Sequence, residues 1–428
     1  SMRFRALFVL QSLAQASYLG YRLITCWSTF GSVLFFACEL IFNAWNAVTA
    51  LQRWRCHDRA RSTPTLRQLA QQGALPEEDW PTVSILVPTY HESESIVSNT
   101  LEACTKLDYP RKKLTVYLCD DGGDTPGRPP MRALVNKLGA EAGGGWADHL
   151  RYVARHKVKG ASHHAKAGNL NAALALGLPG ELIAVLDADM VAHPDFLQRT
   201  VPLFFTTKCD GRVVPDSNRA LVQTPQFFAN VPALDYCDLQ QSVWYQSLMP
   251  GLDGVGAVPF CGTNALLRKS AVLALPNGGL PYGSVTEDLH TSLQLLLQGY
   301  SSAYLNDVLV TGVAPATLVE VLEQRTRWAV GAMQMISIEK IWQNCICNRE
   351  QPRVRHSLSF MQMASFWMLG GASYLMLVYL MMILLGLLAV FTQWDHLYLL
   401  PAQQDSPLQA FGLGFGLSCY ACLLYTSD

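Results

Sequence analysis

The sequence predicts a Rossmann-like α/β domain with a mostly parallel sheet, flanked by transmembrane helices. Three observations lead to this prediction. Apolar runs of strand length alternate with helical patterns between residues 81 and 313. Polar or acidic residues follow several of these strands, at the edge where open α/β sheets bind ligands. Long hydrophobic runs flank the block on both sides, and half of the 428 residues are hydrophobic.

The flanking runs predict membrane helices. Residues 23–51 form a nearly continuous apolar run, longer than the ~20 residues that span a bilayer. The positive-inside rule places the end of this run in the cytoplasm, because four arginines follow it: Arg53, Arg55, Arg59 and Arg61. Residues 4–18 predict the end of another span or an interfacial helix. Residues 360–391 carry no charge, and a further apolar run begins at residue 408.

These patterns divide the chain into five parts. We expect an N-terminal transmembrane region over 1–55, a linker over 56–80, an α/β domain over 81–313, an amphipathic interfacial helix over 314–350 and a C-terminal transmembrane region over 351–428. Because both ends look cut, we expect a fragment of a longer protein of the inner (plasma) membrane, with a cytoplasmic α/β domain.

Within the α/β block, runs rich in β-branched residues predict strands, and apolar residues three or four apart predict helices. The expected elements in order are a strand at 83–88, a helix at 94–107, strands at 114–119 and 150–153, a helix at 167–176, a strand at 182–186 and a helix at 289–297. Thr286 stands where it could cap the last of these helices.

Two acidic pairs follow predicted strands. Asp187 and Asp189 lie on a turn after an apolar strand, where two carboxylates can hold a divalent cation that in turn binds a diphosphate. Asp120 and Asp121 end an earlier strand and can bind a base or ribose, or support the metal. Taken alone, Asp120 and Asp121 are also typical of an ordinary turn before glycine.

Further polar residues suit group transfer. Asp288, at a helix start, can take a proton from an acceptor hydroxyl, and the neighbouring Glu287 can support the geometry of the site. Lys166 precedes a helix and can contact a phosphate or a base.

The segment 324–328 adds a cationic and aromatic cluster. Gln324 and Arg327 lie three residues apart, so one helix face carries both. Arg327 can bind a diphosphate, and Trp328 can stack on a sugar ring. The alternative for the arginines of this segment is a membrane-surface charge.

These segments together resemble the family 2 glycosyltransferases, and within them the catalytic subunits of bacterial cellulose synthases. The similar segments are 87–90, 120–123, 164–171, 187–189, 223–228, 260–263, 286–288 and 324–328. They occur in the family's order from about residue 82 to 335. The resemblance implies a GT-A fold and a processive, membrane-bound enzyme.

The resemblance also implies roles for individual residues. Asp288 is the general base, and Asp187 with Asp189 binds the diphosphate and Mg²⁺ or Mn²⁺. The other roles run in chain order: uracil contacts at Thr89, Tyr90 and Glu92, nucleotide contacts at Asp120, Asp121 and Lys166, acceptor contacts at Phe260, Cys261 and Gly262, and a frame for the diphosphate and glucan end at Gln324, Arg327 and Trp328.

Two residues depart from the family pattern. His91 stands where an Asn is usual, and Gln226 stands where a His is usual. Neither is a catalytic carboxylate, so we expect activity to survive. The family's full set of membrane helices, and the cyclic-di-GMP-binding PilZ domain of many bacterial members, are not seen in these 428 residues, as expected for a fragment.

The expected reaction is inverting, processive polymerisation of glucose from UDP-glucose into β-1,4-glucan with translocation through the bilayer, alone or with an accessory subunit. The net charge of −1 provides no field that favours nucleic acid. The alternatives are a synthase of β-1,3-glucan, mannan, hyaluronan or chitin, a non-processive lipid glycosyltransferase, and a non-catalytic translocation subunit.

Overall fold

A computed structural model of the protein describes residues 2–25, 58–123, 130–143, 145–155, 157 and 162–338, with six helical positions between 33 and 47. The chain forms two compact units, Ser1–Cys56 with Ser365–Asp428, and His57–Ala364. In the first unit, helix α1 runs over Met2–Thr25. The elements that follow belong to the second unit.

The second unit alternates strands and helices, as the sequence predicts. Its strands are β1 Val83–Thr89, β2 Leu114–Asp120, β3 Leu150–Ala154, β4 Leu182–Val185, β5 Val191–Ala192, β6 Phe205–Thr207, β7 Val213–Pro215, β8 Arg219–Gln223, β9 Phe227–Phe228, β10 Ala265–Arg268, β11 Ser301–Tyr304 and β12 Val310–Gly312. Its α-helices are α2 Arg59–Ser62, α3 Leu66–Gln71, α4 Glu94–Thr105, α5 Met131–Glu141, α6 Ala165–Leu174, α7 Phe196–Thr200, α8 Met249–Asp253, α9 Lys269–Leu273, α10 Glu287–Leu297 and α11 Leu318–Ile338. Short 3₁₀ turns lie at Glu77–Asp79, Arg111–Lys113, Trp146–Asp148 and Val201–Phe204, and a π-helical segment at Val243–Leu248.

Seven strands form the main sheet, in the order β11-β8-β10-β4-β1-β2-β3. β1 pairs in parallel with β2 and β4, β2 with β3, and β11 with β8, whereas β10 runs antiparallel to both of its neighbours. The sheet is therefore mostly parallel, which confirms the prediction. A three-stranded sheet, β5-β12-β9, and the β6-β7 hairpin complete the unit.

The two faces of the main sheet pack against different helices. Every residue of β1 is buried, as expected for a central strand covered on both sides. Ile85 and Val87 face a cluster that includes Leu101 of α4 and Leu138 of α5. Leu86 points to the opposite face, where the helix α6 packs. This α/β/α arrangement leaves the carboxyl ends of the parallel strands open for polar residues.

The segment 56–80, which the sequence predicts to be a linker, is part of the folded unit where it is described. Leu66, Leu69 and Trp80 are buried in the cluster on the α4 face of the sheet. The Arg67 N–H donates to Gln198 Oε1 at 3.0 Å. Because these leucines recur at helical spacing, α3 is an amphipathic helix that closes one side of the core.

The predicted transmembrane runs at 23–51, at 360–391 and from 408 lie mostly or wholly outside the described residues, as does 339–350 of the predicted interfacial helix. Within the part of the chain that the structure describes, no helix has the combination of length and apolarity needed to cross a membrane. The described portion of the interfacial segment forms α11.

Candidate active site

The site begins at adjacent strand ends. In the parallel register, Thr89 of β1 lies opposite Asp120 of β2, and Asp120 lies opposite Ala154 of β3. Asp120 is buried, with Oδ1 accepting from Gly122 N–H at 2.8 Å and Oδ2 from the Tyr152 hydroxyl at 2.9 Å. Asp120 therefore has the turn-forming role that the sequence predicts for an Asp before glycine, and its contact with a nucleotide stays a prediction.

Glu92 organises the loop that follows β1. Its Oε2 accepts from the Thr89 hydroxyl at 2.7 Å and from the backbone N–H groups of Tyr90 and His91 at 2.7 and 3.0 Å. Burial alone would raise the pKa of Glu92, but these hydrogen bonds outweigh burial and hold the pKa below its ordinary value. The half-exposed Tyr90 ring is the open surface of this loop.

Asp121 is enclosed by two cations that the sequence motifs do not include. Arg155 Nε donates to Asp121 Oδ1, and Lys157 Nζ lies 2.9 Å from Oδ2. Lys157 also sits 4.7 Å above the Tyr90 ring. Their signal in the sequence is weak, because both follow the end of β3 in a stretch without a motif.

Asp187 and Asp189 lie on the turn after β4, and two hydroxyls fix this turn. Thr263 Oγ1 accepts from Asp187 N–H at 2.9 Å, and Thr100 Oγ1 donates to the Ala188 carbonyl at 2.7 Å. Burial, and then the charge of Asp187, raises the pKa of Asp189 to about 6. The negative charge of Asp187 thus disfavours ionisation of Asp189.

This pair fits a divalent cation. Carboxylate oxygens are the ligands that Mg²⁺ and Mn²⁺ prefer, and a cation between the two acids would remove their repulsion. Among the described residues, no three His, Cys, Asp or Glu side chains form a group that could hold a metal. The described chain thus offers two acidic ligands, and a bound diphosphate could supply others.

Lys166 joins the turn that carries Asp187 and Asp189 to the rest of the site. Its Nζ donates to Asp187 Oδ1 and, at 2.9 Å, to the Gly262 carbonyl. Burial alone would lower the pKa of Lys166, but the charges of Asp187, Glu287 and Asp288 raise it above its ordinary value. The ammonium group is therefore held in its charged form among three acids.

Gly262 allows the Asp288 carboxylate to approach Lys166. Gly262 has φ +84°, and a Cβ added to it would lie 2.9 Å from Asp288 Oδ2 and 3.5 Å from Lys166 Nζ. Glycine is required here both for the positive φ and for the space. Asp187 of the predicted metal pair and the predicted base Asp288 are thus both brought close to one lysine.

Burial, and then the charge of Glu287, raises the pKa of Asp288 to about 7. Burial also raises the pKa of Glu287, while the charges of Lys166 and Arg327 act in the opposite direction. Asp288 Oδ1 accepts from the Leu289 N–H at 2.8 Å. A carboxylate with a pKa near neutrality, at a helix start beside a cation, suits a general base.

Gln223 holds the loop over 260–264, a role that its sequence motif alone does not indicate. Gln223 Oε1 accepts from Cys261 N–H at 2.9 Å, and its Nε2 donates to the Thr263 carbonyl at 2.8 Å. Cys261 is partly exposed, whereas the Phe260 side chain is only 1% exposed and lies in the α6-side core. Phe260 therefore supports the predicted acceptor surface from the core, and its ring is not accessible for direct contact with an acceptor.

Helix α11 packs on the loop before α10 through a glycine contact. A Cβ on Gly331 would overlap with the Thr286 side chain. Val285 N–H donates to Gln334 Oε1 at 2.9 Å, and Ser284 Oγ donates to the Gly331 carbonyl at 3.2 Å. Thr286 stands at the N-cap position of α10 but forms no capping hydrogen bond with its side chain, contrary to the prediction. Its side chain instead forms the contact surface for α11.

Gln324, Arg327 and Trp328 all lie on α11, as predicted. Arg327 is exposed, while Gln324 and Trp328 are partly buried. Burial raises the pKa of Glu287, and the charge of Arg327 partly opposes that increase. Arg325 has a different role, because its guanidinium donates to the Cys237 and Asp238 carbonyls. The helix thus directs one arginine at the acids and uses the other to hold a loop.

Replacing Gly331 by valine is expected to separate α11 from Thr286. Side-chain overlap in a packed contact costs about 1–3 kcal/mol, so the thermal unfolding midpoint and any transfer activity should both fall. Val330→Thr, at an exposed position of the same helix outside the 324–328 segment, is the control and should change neither quantity. Wild-type values for Gly331→Val would contradict this contact.

The α/β block of the chain is similar to known proteins. The family model described as glycosyltransferase-like family 2 matches residues 81–331. Putative cellulose synthase 2 of Komagataeibacter xylinus is 33% identical over 274 residues, covering 62% of this chain and 16% of the relative. The UDP-forming cellulose synthase catalytic subunit of Pseudomonas fluorescens is 35% identical over 265 residues, covering 60% of this chain and 32% of the relative. The matched part is therefore well under half of either relative's length.

A solved structure shares the fold. A mannosyltransferase from Pyrobaculum calidifontis, determined with GDP-Man and Mn²⁺, superimposes with a TM-score of 0.54 at 19% identity. The match covers 93% of this chain and 99% of that one. The fold is thus a GT-A-like mixed α/β arrangement.

Proposed function

Because the chain belongs to the glycosyltransferase-like family 2, we propose that it transfers a sugar from a UDP-sugar to a growing glycan, with inversion at the anomeric carbon. The observation that carries this proposal is the position of Lys166. Its ammonium group donates hydrogen bonds to Asp187 and to the Gly262 carbonyl, and the Asp288 carboxylate lies against the same glycine. One compact cluster therefore combines a diphosphate-binding pair with a base.

The transfer requires removal of the acceptor hydroxyl proton and replacement of the bond between the anomeric carbon and the diphosphate by a bond to the acceptor oxygen. Asp288 takes the proton of the acceptor hydroxyl as the hydroxyl oxygen attacks the anomeric carbon of the donor sugar. The bond from that carbon to the diphosphate oxygen breaks, and UDP departs with the electron pair. Because attack and departure lie on opposite faces, a single displacement inverts the configuration.

The departing UDP carries the negative charge that develops during transfer. Asp187 and Asp189 would hold Mg²⁺ or Mn²⁺, which supplies positive charge to the diphosphate when bound. Lys166 and Arg327 add the protein's own cationic charges beside the acids. Gln324 and Trp328 of α11 would align the acceptor end, which contributes the proximity effect.

The nucleotide would bind at the ends of β1 and β2. Tyr90 offers a half-exposed ring for the uracil. The carboxylates of Asp120 and Asp121 are buried and already accept hydrogen bonds, so they would meet the base or the ribose at the edge of the sheet and not from an open surface. Glu92, whose Oε2 is committed to its own loop, would shape this pocket from behind. Thr89 is buried and supports Glu92 in the same way.

The specific reaction that we propose is processive synthesis of β-1,4-glucan from UDP-glucose, coupled to passage of the chain through the inner membrane. It is supported by the relatives named as cellulose synthases and by the hydrophobic runs on both sides of the α/β block. An accessory subunit would join the full-length protein. Synthesis of β-1,3-glucan, mannan, hyaluronan or chitin uses the same cluster and is the alternative.

The test incubates the full-length protein with labelled UDP-sugars and Mg²⁺, then digests the product with linkage-specific glucanases. We expect UDP release with UDP-glucose and a polymer that a β-1,4-glucanase degrades. Resistance to this enzyme with continued UDP release would replace β-1,4-glucan by another polymer. Absence of UDP release with every donor would favour a non-catalytic subunit.

Transfer should depend on pH through Asp288. Since a base acts only when deprotonated and the pKa of Asp288 is raised to about 7, kcat/KM should fall by about tenfold per pH unit below about 7. The measurement is the initial rate of UDP release at saturating metal between about pH 5 and about 9. A rate that stays level from about pH 8 to about 6 would exclude Asp288 as the base.

A further inference from the structure

Arg155 forms a three-way junction that no motif of the chain includes. Its Nε donates to Asp121 Oδ1, its Nη1 to the His163 carbonyl, and its Nη2 to the Ala165 carbonyl at 3.1 Å. The Arg155 and Asp121 side chains are only 10% and 9% exposed. A buried guanidinium with three separate acceptors is fixed in orientation, because its planar fork permits few alternatives.

The two carbonyls belong to a strained turn. His164 and Ala165 have φ of +53° and +39°, and consecutive residues other than glycine rarely adopt such angles. This conformation persists only where its surroundings hold it. Arg155 binds the carbonyls of His163 and Ala165, so it holds the turn immediately before Lys166.

Gly168 provides the space for this junction. A Cβ added to Gly168 would overlap with Arg155 Nη1 and with the His163 carbonyl oxygen. The guanidinium therefore lies directly against the first turn of α6. Substitution of Gly168 by any other residue would displace the arginine, the strained turn, or both.

We propose that Arg155 is a positioning residue that locks the nucleotide-binding Asp121 to the turn carrying Lys166. Asp121 N–H donates to the Thr89 carbonyl at 2.9 Å, which ties the junction to the base-binding loop. Lys166 contacts Asp187 and lies beside Asp288. Through Arg155, the nucleotide end and the diphosphate end of the donor site form one rigid assembly.

This inference rests on the proposed function, because it assumes that the site binds UDP. Its experiment measures the Kd of UDP with Mg²⁺ by titration calorimetry on the full-length protein, together with kcat and KM for the donor. Arg155→Gln should raise the Kd by about tenfold or more and lower kcat, since the charge-assisted hydrogen bonds to Asp121 and to the His163 and Ala165 carbonyls are lost. Arg151→Gln, at an exposed position of β3, should leave these values within about twofold.

A double-mutant cycle with Asp121→Asn separates positioning from a general structural role. If Arg155 acts through Asp121, the combined loss of UDP affinity should fall short of the product of the single losses by about fivefold or more. Multiplicative losses would overturn the inference. If Arg155→Gln fails to fold, Arg155→Lys answers the same question, because it keeps the charge but loses the fork to the two carbonyls.

The outcomes distinguish the proposed function from the role of Arg155. Failure of the wild-type protein to bind UDP would refute the proposed function and this inference with it. If the wild type binds UDP and a folded Arg155 variant binds it with a Kd within twofold of the wild-type value, the role of Arg155 is refuted and the proposed function is not.

Discussion

Asp288→Asn is expected to lower the rate of UDP release by at least about a hundredfold, since a positioned general base contributes about 10²–10⁴ to a rate. The change should leave the fold intact. Asp288 Oδ1 accepts from Leu289 N–H, and an asparagine oxygen can accept the same hydrogen bond. The amide, however, cannot take a proton from the acceptor hydroxyl.

The binding of UDP distinguishes the loss of a base from the loss of a binding site. We expect the Kd of UDP for Asp288→Asn to stay within about twofold of wild type, because Asp187 and Asp189 are unchanged. Asp210→Asn removes an exposed carboxylate on the β6-β7 turn and is the control for isosteric replacement. A variant at position 288 that keeps more than about a tenth of the wild-type rate would remove Asp288 from the base role.

This prediction depends on the charge balance of the site, in which acidic side chains outnumber the cationic ones. Burial raises the pKa of Asp189, Glu287 and Asp288 together, while Lys166 stays protonated among them. Such an arrangement does not favour stability by itself. It suits a site that receives a metal ion and releases a diphosphate, because the bound cation offsets the surplus of negative charge.

Much of the fold is predictable from the sequence because its signals are local. β1 and β2 are continuous apolar runs, and the observed bounds of both lie within one residue of those predicted. The common location of the acids after β2 and β4 is also predictable, because parallel strands end at a common edge of the sheet. The described part of α11 likewise agrees with its helical spacing.

The remaining features depend on contacts between distant segments, which local patterns do not contain. Arg155 donates a hydrogen bond to the Ala165 carbonyl, 10 residues away in the sequence. Gln223 accepts one from Cys261, 38 residues away. Thr286 is a typical capping residue, but the close approach of Gly331 gives its side chain a different contact. Residues 58–80 lack a strand-helix alternation, although their leucines complete the core.

Asp189→Asn is expected to abolish metal-dependent UDP binding while making the protein without ligand slightly more stable. One of the two metal-binding carboxylates is lost, so the Kd of UDP in Mn²⁺ should rise by at least about a hundredfold. Calorimetric titration of UDP with and without Mn²⁺ measures this loss. Asp195→Asn, at an exposed carboxylate after β5, is the control.

The gain in stability follows from the sign of the pKa shift. A carboxyl whose pKa is raised in the folded state costs stability once it ionises, so the cost is present above its folded pKa of about 6 and absent below its unfolded pKa near 4. The midpoint of thermal unfolding for Asp189→Asn should therefore exceed that of wild type at about pH 8 and match it at about pH 4. Replacing a residue that supports the fold would lower the stability of the protein. Replacing a residue that serves metal binding removes function and raises the stability of the protein. A lower midpoint at about pH 8 would identify Asp189 as a structural residue.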